Sequence, residues 1–351
     1  MRLGFLDLPD DERRLFISQA AVQRNVSPVV LEKDFWVCWL LGVLFESDFA
    51  SCLVFKGGTS LSKVFGVIDR FSEDIDLSLS PDFLDLPAAG PSRNQAHKWM
   101  VRAEQACQTA VRDRMMPALE MTVTSVLGLP KSRPWFEFQL DRVSHSPLLL
   151  FHYPSTQPTG LAYLVRAVKL EMGSLTDQRP VGRYPIRPWV AESLPAAFLD
   201  WKCEVIAMEL ERSFWEKATI LHAEFHRPAD KPTPDRFSRH YSDTATLAKH
   251  PIAGSAIGLH ELRDRVVRWK GQFFGSAWAN YSLAVPGTFR LVPPMERRSA
   301  LRRDYHAMRD MYQSEPASFD AVLAALSELE QRINDSDGRE PCRMVPTDES
   351  R

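Results

Sequence analysis

Phe55-Lys56-Gly57-Gly58-Thr59-Ser60-Leu61-Ser62-Lys63-Val64-Phe65 and, shortly after it, Arg70-Phe71-Ser72-Glu73-Asp74-Ile75-Asp76-Leu77-Ser78-Leu79-Ser80 decide how this chain is read. Cys52 to Phe55 is a short apolar run ended by the glycine pair, which predicts a strand entering a tight turn. Ser60 to Phe65 can then form a short helix. From Ser72 to Ser80 the residues alternate, so that Ile75, Leu77 and Leu79 fall on one face of a strand and Asp74, Asp76 and Ser78 on the other. One face is predicted to be core, and the other carries acid.

Each part of that constellation answers a need of nucleotide chemistry. Gly57 and Gly58 allow the backbone to approach a phosphate, and the following helix start offers N–H groups and a positive dipole end. Thr59 and Ser60 add hydroxyl donors. Carboxylates two residues apart on a strand point the same way, so Asp74 and Asp76 together can hold a hard cation such as Mg²⁺ or Mn²⁺ through oxygen. Such ions would bridge a nucleoside triphosphate, stabilise the leaving pyrophosphate and activate an attacking hydroxyl. A bare Asp-x-Asp is more often the solvated face of an edge strand. The upstream Gly-Gly-Thr-Ser tips the balance toward chemistry.

Working outward, Pro9 to Asp11 opens a first helix. Ser27 and Pro28 supply an N-cap and an N1 proline for a second, running to about Glu46. After a Pro/Gly/Ser loop at Leu86 to Ser92, the pattern is helical from Asn94 to about Met115. Strands are predicted at Trp135–Arg142, Leu148–Tyr153 and Leu164–Met172, the sheet ending near Gly173. From Phe198 the spacing is helical to about Asn334, apart from a possible short strand at Cys203–Met208. The fold class expected is α+β. Its divisions are 1–185, a sheet-bearing lobe with N-terminal helices; 186–338, a helical lobe; and 339–351, a polar tail expected to be disordered.

Composition narrows the partners little. A net charge of −2 gives no global pull toward nucleic acid, so a polyanion would need a locally basic surface. The five cysteines are scattered and contain no Cys-x-x-Cys, which points to reduced thiols in a cytoplasmic protein. The N-terminus lacks the features of a secretory signal. The most apolar run, Phe35 to Phe45, is too short to span a bilayer, so no membrane anchor is expected.

The two quoted segments resemble the signature of the AbiEii/AbiGii toxin family of nucleotidyltransferases, within the DNA polymerase β-like superfamily. Relative to the superfamily's general pattern, a threonine follows the second glycine and the spacer is slightly longer, as is usual in the toxin family. The resemblance implies a polymerase β-like nucleotidyltransferase lobe, a C-terminal α-helical lobe, and an active site in the cleft between them. Val168-Lys169-Leu170-Glu171-Met172-Gly173 is similar to the strand that supplies a third carboxylate, which would be Glu171; otherwise Glu171 is a strand-face partner of Lys169.

Further along, Arg212-Ser213-Phe214-Trp215-Glu216-Lys217 is similar to the family's Phe-x-Glu-Lys motif, whose lysine is catalytic or contacts nucleotide. By local pattern Ser213 and Glu216 form a capping box, which would place Lys217 in a first helical turn, where a cation opposes the macrodipole. A triphosphate would resolve that conflict. Arg239-His240-Tyr241-Ser242-Asp243 resembles the next motif, whose aspartate is required for activity, so Asp243 takes that role by resemblance. Glu32-Lys33-Asp34 also resembles a family segment, for which ion pairing within the first turns of a helix is a sufficient explanation. A weaker echo lies at Arg302-Arg303-Asp304-Tyr305-His306-Ala307-Met308-Arg309.

What the resemblance implies is a nucleotidyltransferase acting as the toxin of an abortive-infection toxin–antitoxin pair. Metal would be held by Asp74 and Asp76, with Glu171 as a third ligand. The NTP would be cradled by Gly57, Gly58, Thr59, Ser60 and Lys217, with Lys217 and Asp243 catalytic. The expected acceptor is RNA, tRNA first, and a cognate antitoxin is expected, its direct contact left open. Two alternatives stand beside this: transfer to a small molecule, and a nucleotide-binding module without chemistry. An RNA acceptor needs a basic groove. Arg297, Arg298, Arg302 and Arg303 could supply part of one, or form a solvated helix face. His222 and His226, with Glu224 between them, miss the His-Glu-x-x-His zinc motif because Ala223 follows the first histidine, and are read as structural.

Overall fold

The computed structural model describes residues 4–87, 95–142, 144–157, 166–274 and 276–336. The expected tail at 339–351 with Cys342, the loop from Ala88 to Ser92, Asn94, and the start of the strand expected from Leu164 lie outside the described residues.

Alternation in the 74–79 segment does what the sequence predicts. Among the described residues seven strands form one sheet: β1 (Leu53–Lys56), β2 (Asp74–Leu79), β3 (Phe136–Leu140), β4 (Pro147–Phe151), β5 (Val168–Gly173), β6 (Val181–Pro185) and β7 (Glu204–Met208), in the order β3-β4-β5-β2-β1-β7-β6. β2 runs antiparallel to β1 and parallel to β5. Ile75, Leu77 and Leu79 share a face with Phe55, Leu149, Phe151, Val168, Leu170 and Met172, and all of them are fully buried.

The helices are α1 (Gly4–Asp7), α2 (Asp10–Arg24), α3 (Pro28–Phe45), α4 (Gly57–Lys63), α5 (Ala96–Ala110), α6 (Met116–Leu127), α7 (Trp189–Ser193), α8 (Leu210–Phe225), α9 (Ser238–Lys249), α10 (Ile252–Gly258), α11 (His260–Phe273), α12 (Met295–Ala307) and α13 (Phe319–Asn334). Proline at the start of α3 fixes φ where no intrahelical N–H bond is lost. The helix then buries nearly every side chain. Trp36 and Trp39 pack on Phe151 of the sheet, ring centroids 6.0 and 5.8 Å away, so α3 covers the apolar face.

Three departures from the sequence expectations concern the sheet and the helices that pack on it. The helical path expected to stop near Met115 continues through a wide π-type turn at Val111–Met115 into α6. Pro117 has no N–H to give and crowds the preceding turn, and the widened turn accommodates it. The sheet does not end near Gly173, because β6 and β7 extend it beyond β1. β6 was invisible in the sequence: it holds Gly182, ends at Pro185, and sits at the sheet edge, where such residues are tolerated. Third, the glycine pair is not a turn ahead of a helix but the first turn of α4 itself.

The contacts divide the chain into two units, Met1–Ser213 with Tyr305–Pro316, and Phe214–Asp304 with Ala317–Arg351. In the first unit the returning segment is tied beside the approach to β2. Phe71 N–H donates to Met311 O at 2.7 Å, and Gln313 N–H to Asp69 O at 3.1 Å. The second unit is helical. Trp215, Phe289, Tyr241, Leu247, Leu326 and Leu329 are buried in it, and Trp215 Nε1–H donates to Ala256 O at 3.0 Å. No helix among the described residues is long and apolar enough to cross a membrane.

Candidate active site

On the sheet face opposite the apolar layer, registration between strands gathers charge. Asp74 stands opposite Lys169, and Asp76 opposite Glu171, on the parallel neighbour β5, while Lys56 of β1 stands opposite Asp76. Lys169 Nζ lies 3.2 Å from Asp74 Oδ2 and 2.5 Å from Glu171 Oε1. Burial pushes the Asp74 carboxyl above its usual range, and Glu73 and Glu171 add to that while Lys169 opposes it. Burial lowers Lys169, but Asp74 and Glu171 outweigh it and push the ammonium up to about 12. The face therefore holds its acids close at an electrostatic cost that a cation relieves.

The glycine pair serves this face by packing. Gly57 has φ +80°, and a Cβ there would stand 1.9 Å from Asp76 Oδ2. A Cβ on Gly58 would meet Arg70 Nη2 at 2.8 Å and Ser72 Oγ at 2.9 Å. Only hydrogen at these positions lets the first turn of α4 lie directly against Asp76. The hydroxyls that the sequence offered as phosphate donors are turned inward. Thr59 Oγ1 donates to Asp74 O at 2.5 Å, Ser60 Oγ donates to Gly57 O at 2.9 Å, and both residues are fully buried. What this segment can offer a phosphate is backbone N–H rather than those side chains.

Glu32, Lys33 and Asp34 take partners beyond their own helix, where the sequence suggested pairing within its first turns. Their partners come from distant parts of the first unit. Lys33 Nζ meets Glu73 Oε2 at 2.6 Å, the residue just before Asp74. Asp34 takes Lys63, the last residue of α4, on one oxygen and Trp189 N–H at 2.7 Å on the other. Glu32 accepts from Thr156 N at 2.6 Å, Thr156 Oγ1 at 2.7 Å and Ser155 Oγ at 2.5 Å. All three are almost fully buried; Lys33 and Asp34 tie the α4–β2 connection to α3 at Glu73 and Lys63, and Glu32 ties α3 to Ser155 and Thr156. Sequence offered one signal for this that was not used: charged residues in the midst of an otherwise apolar helix need partners.

In the second unit Lys217 Nζ lies 2.7 Å from Asp243 Oδ2 and 3.4 Å from His240 Nδ1, the lysine 10% and the aspartate 1% exposed. The capping-box premise is corrected. α8 begins at Leu210, so Lys217 stands about two turns in, and Ser213 N–H already donates to Glu209 O at 3.0 Å. Lys217 is instead fixed by a carboxylate one helix away in sequence. The echo at 302–309 has a local task that sequence did not show. Asp304 accepts from Arg236 N at 2.7 Å, Ser238 N at 2.8 Å and Ser238 Oγ at 2.5 Å, capping the start of α9, which carries His240 and Asp243.

The four arginines do not form one basic strip. Arg297 is buried and donates to Thr233 Oγ1 and to the carbonyls of Arg227, Pro228 and Lys231, while Arg302 forks onto Asp320 at 2.8 and 2.6 Å. Arg298 donates to Pro293 O, and Arg303 is exposed. His222 is structural: Arg290 N–H donates to Nδ1, and Nε2–H donates to Asn280 O, which commits both ring nitrogens. Burial lowers its pKa to about 4, so the ring is neutral. Burial pushes the thiols of Cys52, Cys107 and Cys203 up to about 11, 12 and 12, and raises that of Cys38 well above its usual value. They are inert.

Asp74, Asp76 and Glu171 present only oxygen donors, the type that Mg²⁺ and Mn²⁺ take, and Mg²⁺ is commonly held by one or two carboxylates plus substrate phosphates. Among the described residues no three acid, imidazole or thiol groups converge on one point. Lys169 stands between Asp74 and Glu171. The donor chemistry of the strand pair fits such an ion, with the lysine occupying the ground where a third carboxylate would join.

Residues 39–325 match the family model described as nucleotidyl transferase AbiEii toxin, type IV toxin–antitoxin system. Seven solved chains match. Among them is MenT4, a nucleotidyltransferase toxin from Mycobacterium tuberculosis H37Rv, with a TM-score of 0.50, 16% identity, and coverage of 93% of this chain and 90% of that one. At that identity the likeness concerns the fold. No curated protein sequence matches.

Proposed function

The chain belongs to the AbiEii nucleotidyl transferase toxin family of type IV toxin–antitoxin systems, and from that premise we propose that it transfers a nucleoside monophosphate from an NTP to a hydroxyl of RNA, with tRNA the expected acceptor. The observation that carries the assignment of the reacting centre is the registered acidic face: Asp74 and Asp76 on β2, Glu171 beside them on β5, and Gly57 packed against Asp76. Divalent metal held there by Asp74 and Asp76, with Glu171 beside them, would stabilise the charge that builds on the departing pyrophosphate.

The chain's own residues do the rest by position. Asp74 and Asp76 project side by side because they are two apart on one strand, and α4 brings its backbone N–H groups to the same end of that strand. The acceptor oxygen bonds to the α-phosphorus, the bond to the β-phosphate oxygen breaks, pyrophosphate leaves, and the hydroxyl proton is released to solvent. Glu171 acts as a third acid of the face. Lys217 and Asp243, held together in the second unit, are assigned as required for activity, Asp243 fixing the ammonium. A cognate antitoxin is the expected partner.

The test is incubation of the purified chain with each α-phosphorus-labelled NTP, Mg²⁺ and total bacterial RNA, beside Asp76→Ala. Label entering RNA with the intact chain, and reduced at least about 10³-fold in the variant, is the expected result. Label entering a small molecule instead would move the acceptor; label unaffected by Asp76→Ala would remove the acidic face from the chemistry.

A further inference from the structure

Lys169 is placed by contact between two of the acids assigned to metal, at 3.2 Å from Asp74 Oδ2 and 2.5 Å from Glu171 Oε1. It reaches them because residues two apart on β5 share a face, and because the parallel register sets Lys169 against Asp74 and Glu171 against Asp76. Glu73, the nearest further acid in sequence, is taken by Lys33 at 2.6 Å. We propose that the Lys169 ammonium is a resident counter-cation for this face, which a divalent ion must displace, so that Lys169 sets the metal concentration at which the site fills. This rests on the assignment of Asp74, Asp76 and Glu171 to metal made above.

The argument is one of shared oxygens. An ammonium donating to Asp74 Oδ2 and Glu171 Oε1 uses the lone pairs that Mg²⁺ or Mn²⁺ would take at about 2.0–2.2 Å, and the two cations cannot sit on one oxygen pair without strong repulsion. Lys169 is also free to leave. Its side chain is 33% exposed and those of Asp74 and Glu171 are 24% and 40%, so the flexible stem can carry the charge into water. In this it differs from Lys217 and Lys33, whose charges are enclosed. With the ammonium withdrawn, Glu171 loses its present partner and becomes available as the third carboxylate. Lys169 offsets the repulsion between Asp74 and Glu171 with one charge, and a divalent ion would do so with two. Partly exposed ion pairs of this kind are weak, so the competition amounts to roughly 2- to 10-fold in apparent affinity.

The experiment is Mn²⁺ binding to the full chain without nucleotide, followed by the electron paramagnetic resonance of free Mn²⁺, for wild type, Lys169→Met, Lys169→Arg and Asp76→Ala. The expected result is 2- to 10-fold tighter binding by Lys169→Met, no tightening by Lys169→Arg, which keeps the charge, and loss of binding in Asp76→Ala. Wild-type binding that is unchanged or weakened in Lys169→Met overturns the role of the lysine while leaving the metal assignment intact. Absence of Mn²⁺ binding in wild type and variant alike overturns both. Should Lys169→Met fail to fold, acetylation of the wild-type chain read by mass spectrometry decides the matter: Lys169 must react faster with Mn²⁺ present, and an equal or slower rate overturns the proposal.

Discussion

Two clusters of acids and lysines stand in the first unit, and they handle charge in different ways. Around Glu32, Lys33 and Asp34 the charged groups are enclosed, and each has a partner drawn from another part of the chain: Thr156, Glu73, Lys63 and Trp189. Around Asp74, Lys169 and Glu171 the side chains are a quarter to two-fifths exposed, and one lysine serves two acids. Enclosure makes the first cluster a set of fixed struts, since a charge that loses its partner there has no water to turn to. Exposure makes the second exchangeable, since a metal ion or water can replace the lysine. The face proposed to bind metal is thus mounted on charges that cannot rearrange.

The largest effect that would break this comparison is expected at Lys63. Its ammonium lies against Asp34 and 4.3 Å over the Trp189 ring, and its side chain is 4% exposed. Lys63→Met leaves Asp34 ionised in a dry setting and is expected to cost about 3–5 kcal/mol in urea unfolding at pH 7. Burial already pushes Asp34 upward, against Lys63. Without the lysine its carboxyl rises further, so the loss should shrink as acid protonates it. Lys63→Met with Asp34→Asn should recover much of the stability. A single variant that unfolds within about 0.5 kcal/mol of wild type would show that these buried charges are not struts.

The same contrast marks what sequence could and could not show. The β1–α4–β2 segment was legible because its signals are local: a glycine pair, and a period of two that sorts Ile75, Leu77 and Leu79 from Asp74 and Asp76. The start of α3 was legible for the same reason, in Ser27 and Pro28. What Glu32, Lys33 and Asp34 do was not, because their partners lie from 29 residues away (Lys63 from Asp34) to 155 (Trp189 from Asp34), and nothing in one sequence pairs them. The true start of α8 is hidden in the sequence because Ser213 and Glu216 imitate a cap that Leu210, Glu211 and Arg212 overrun as ordinary helix formers. The inward turn of Thr59 and Ser60 needed the register of α4 on β2. From sequence Lys169 can be paired only with Glu171, two residues on; that it also reaches Asp74 depends on which strand lies beside β5.

Burial without a charge partner gives the next effect, in the second unit. His222 is fully buried with both nitrogens bonded, and its pKa is lowered to about 4, against about 6.5 in an unfolded chain. Between those values the unfolded state binds the proton and the folded state does not, so stability is present above about pH 6.5 and falls as pH drops toward 4. The total is on the order of 3 kcal/mol. His222→Gln, which can accept from Arg290 and donate to Asn280, should flatten that part of the stability–pH curve relative to wild type. Parallel curves for the two proteins would mean that His222 is protonated without penalty, and that enclosure alone does not fix a charge state here.

The smallest expected change in stability belongs to the exposed cluster and sharpens the comparison most. Gly57→Ala places a methyl 1.9 Å from the present position of Asp76 Oδ2 at a backbone φ of +80°. The strain costs about 1–3 kcal/mol, less than the loss of a strut, because Asp76 lies at an open face and can swing away. That escape is what should disable the protein, since Asp76 then no longer projects beside Asp74. The expected outcome is a folded chain with modestly lowered urea resistance and nucleotidyl transfer reduced by more than about 10². If Gly57→Ala instead keeps full activity, the close packing of α4 on Asp76 is dispensable, and the exposed cluster owes its geometry to the struts behind it alone.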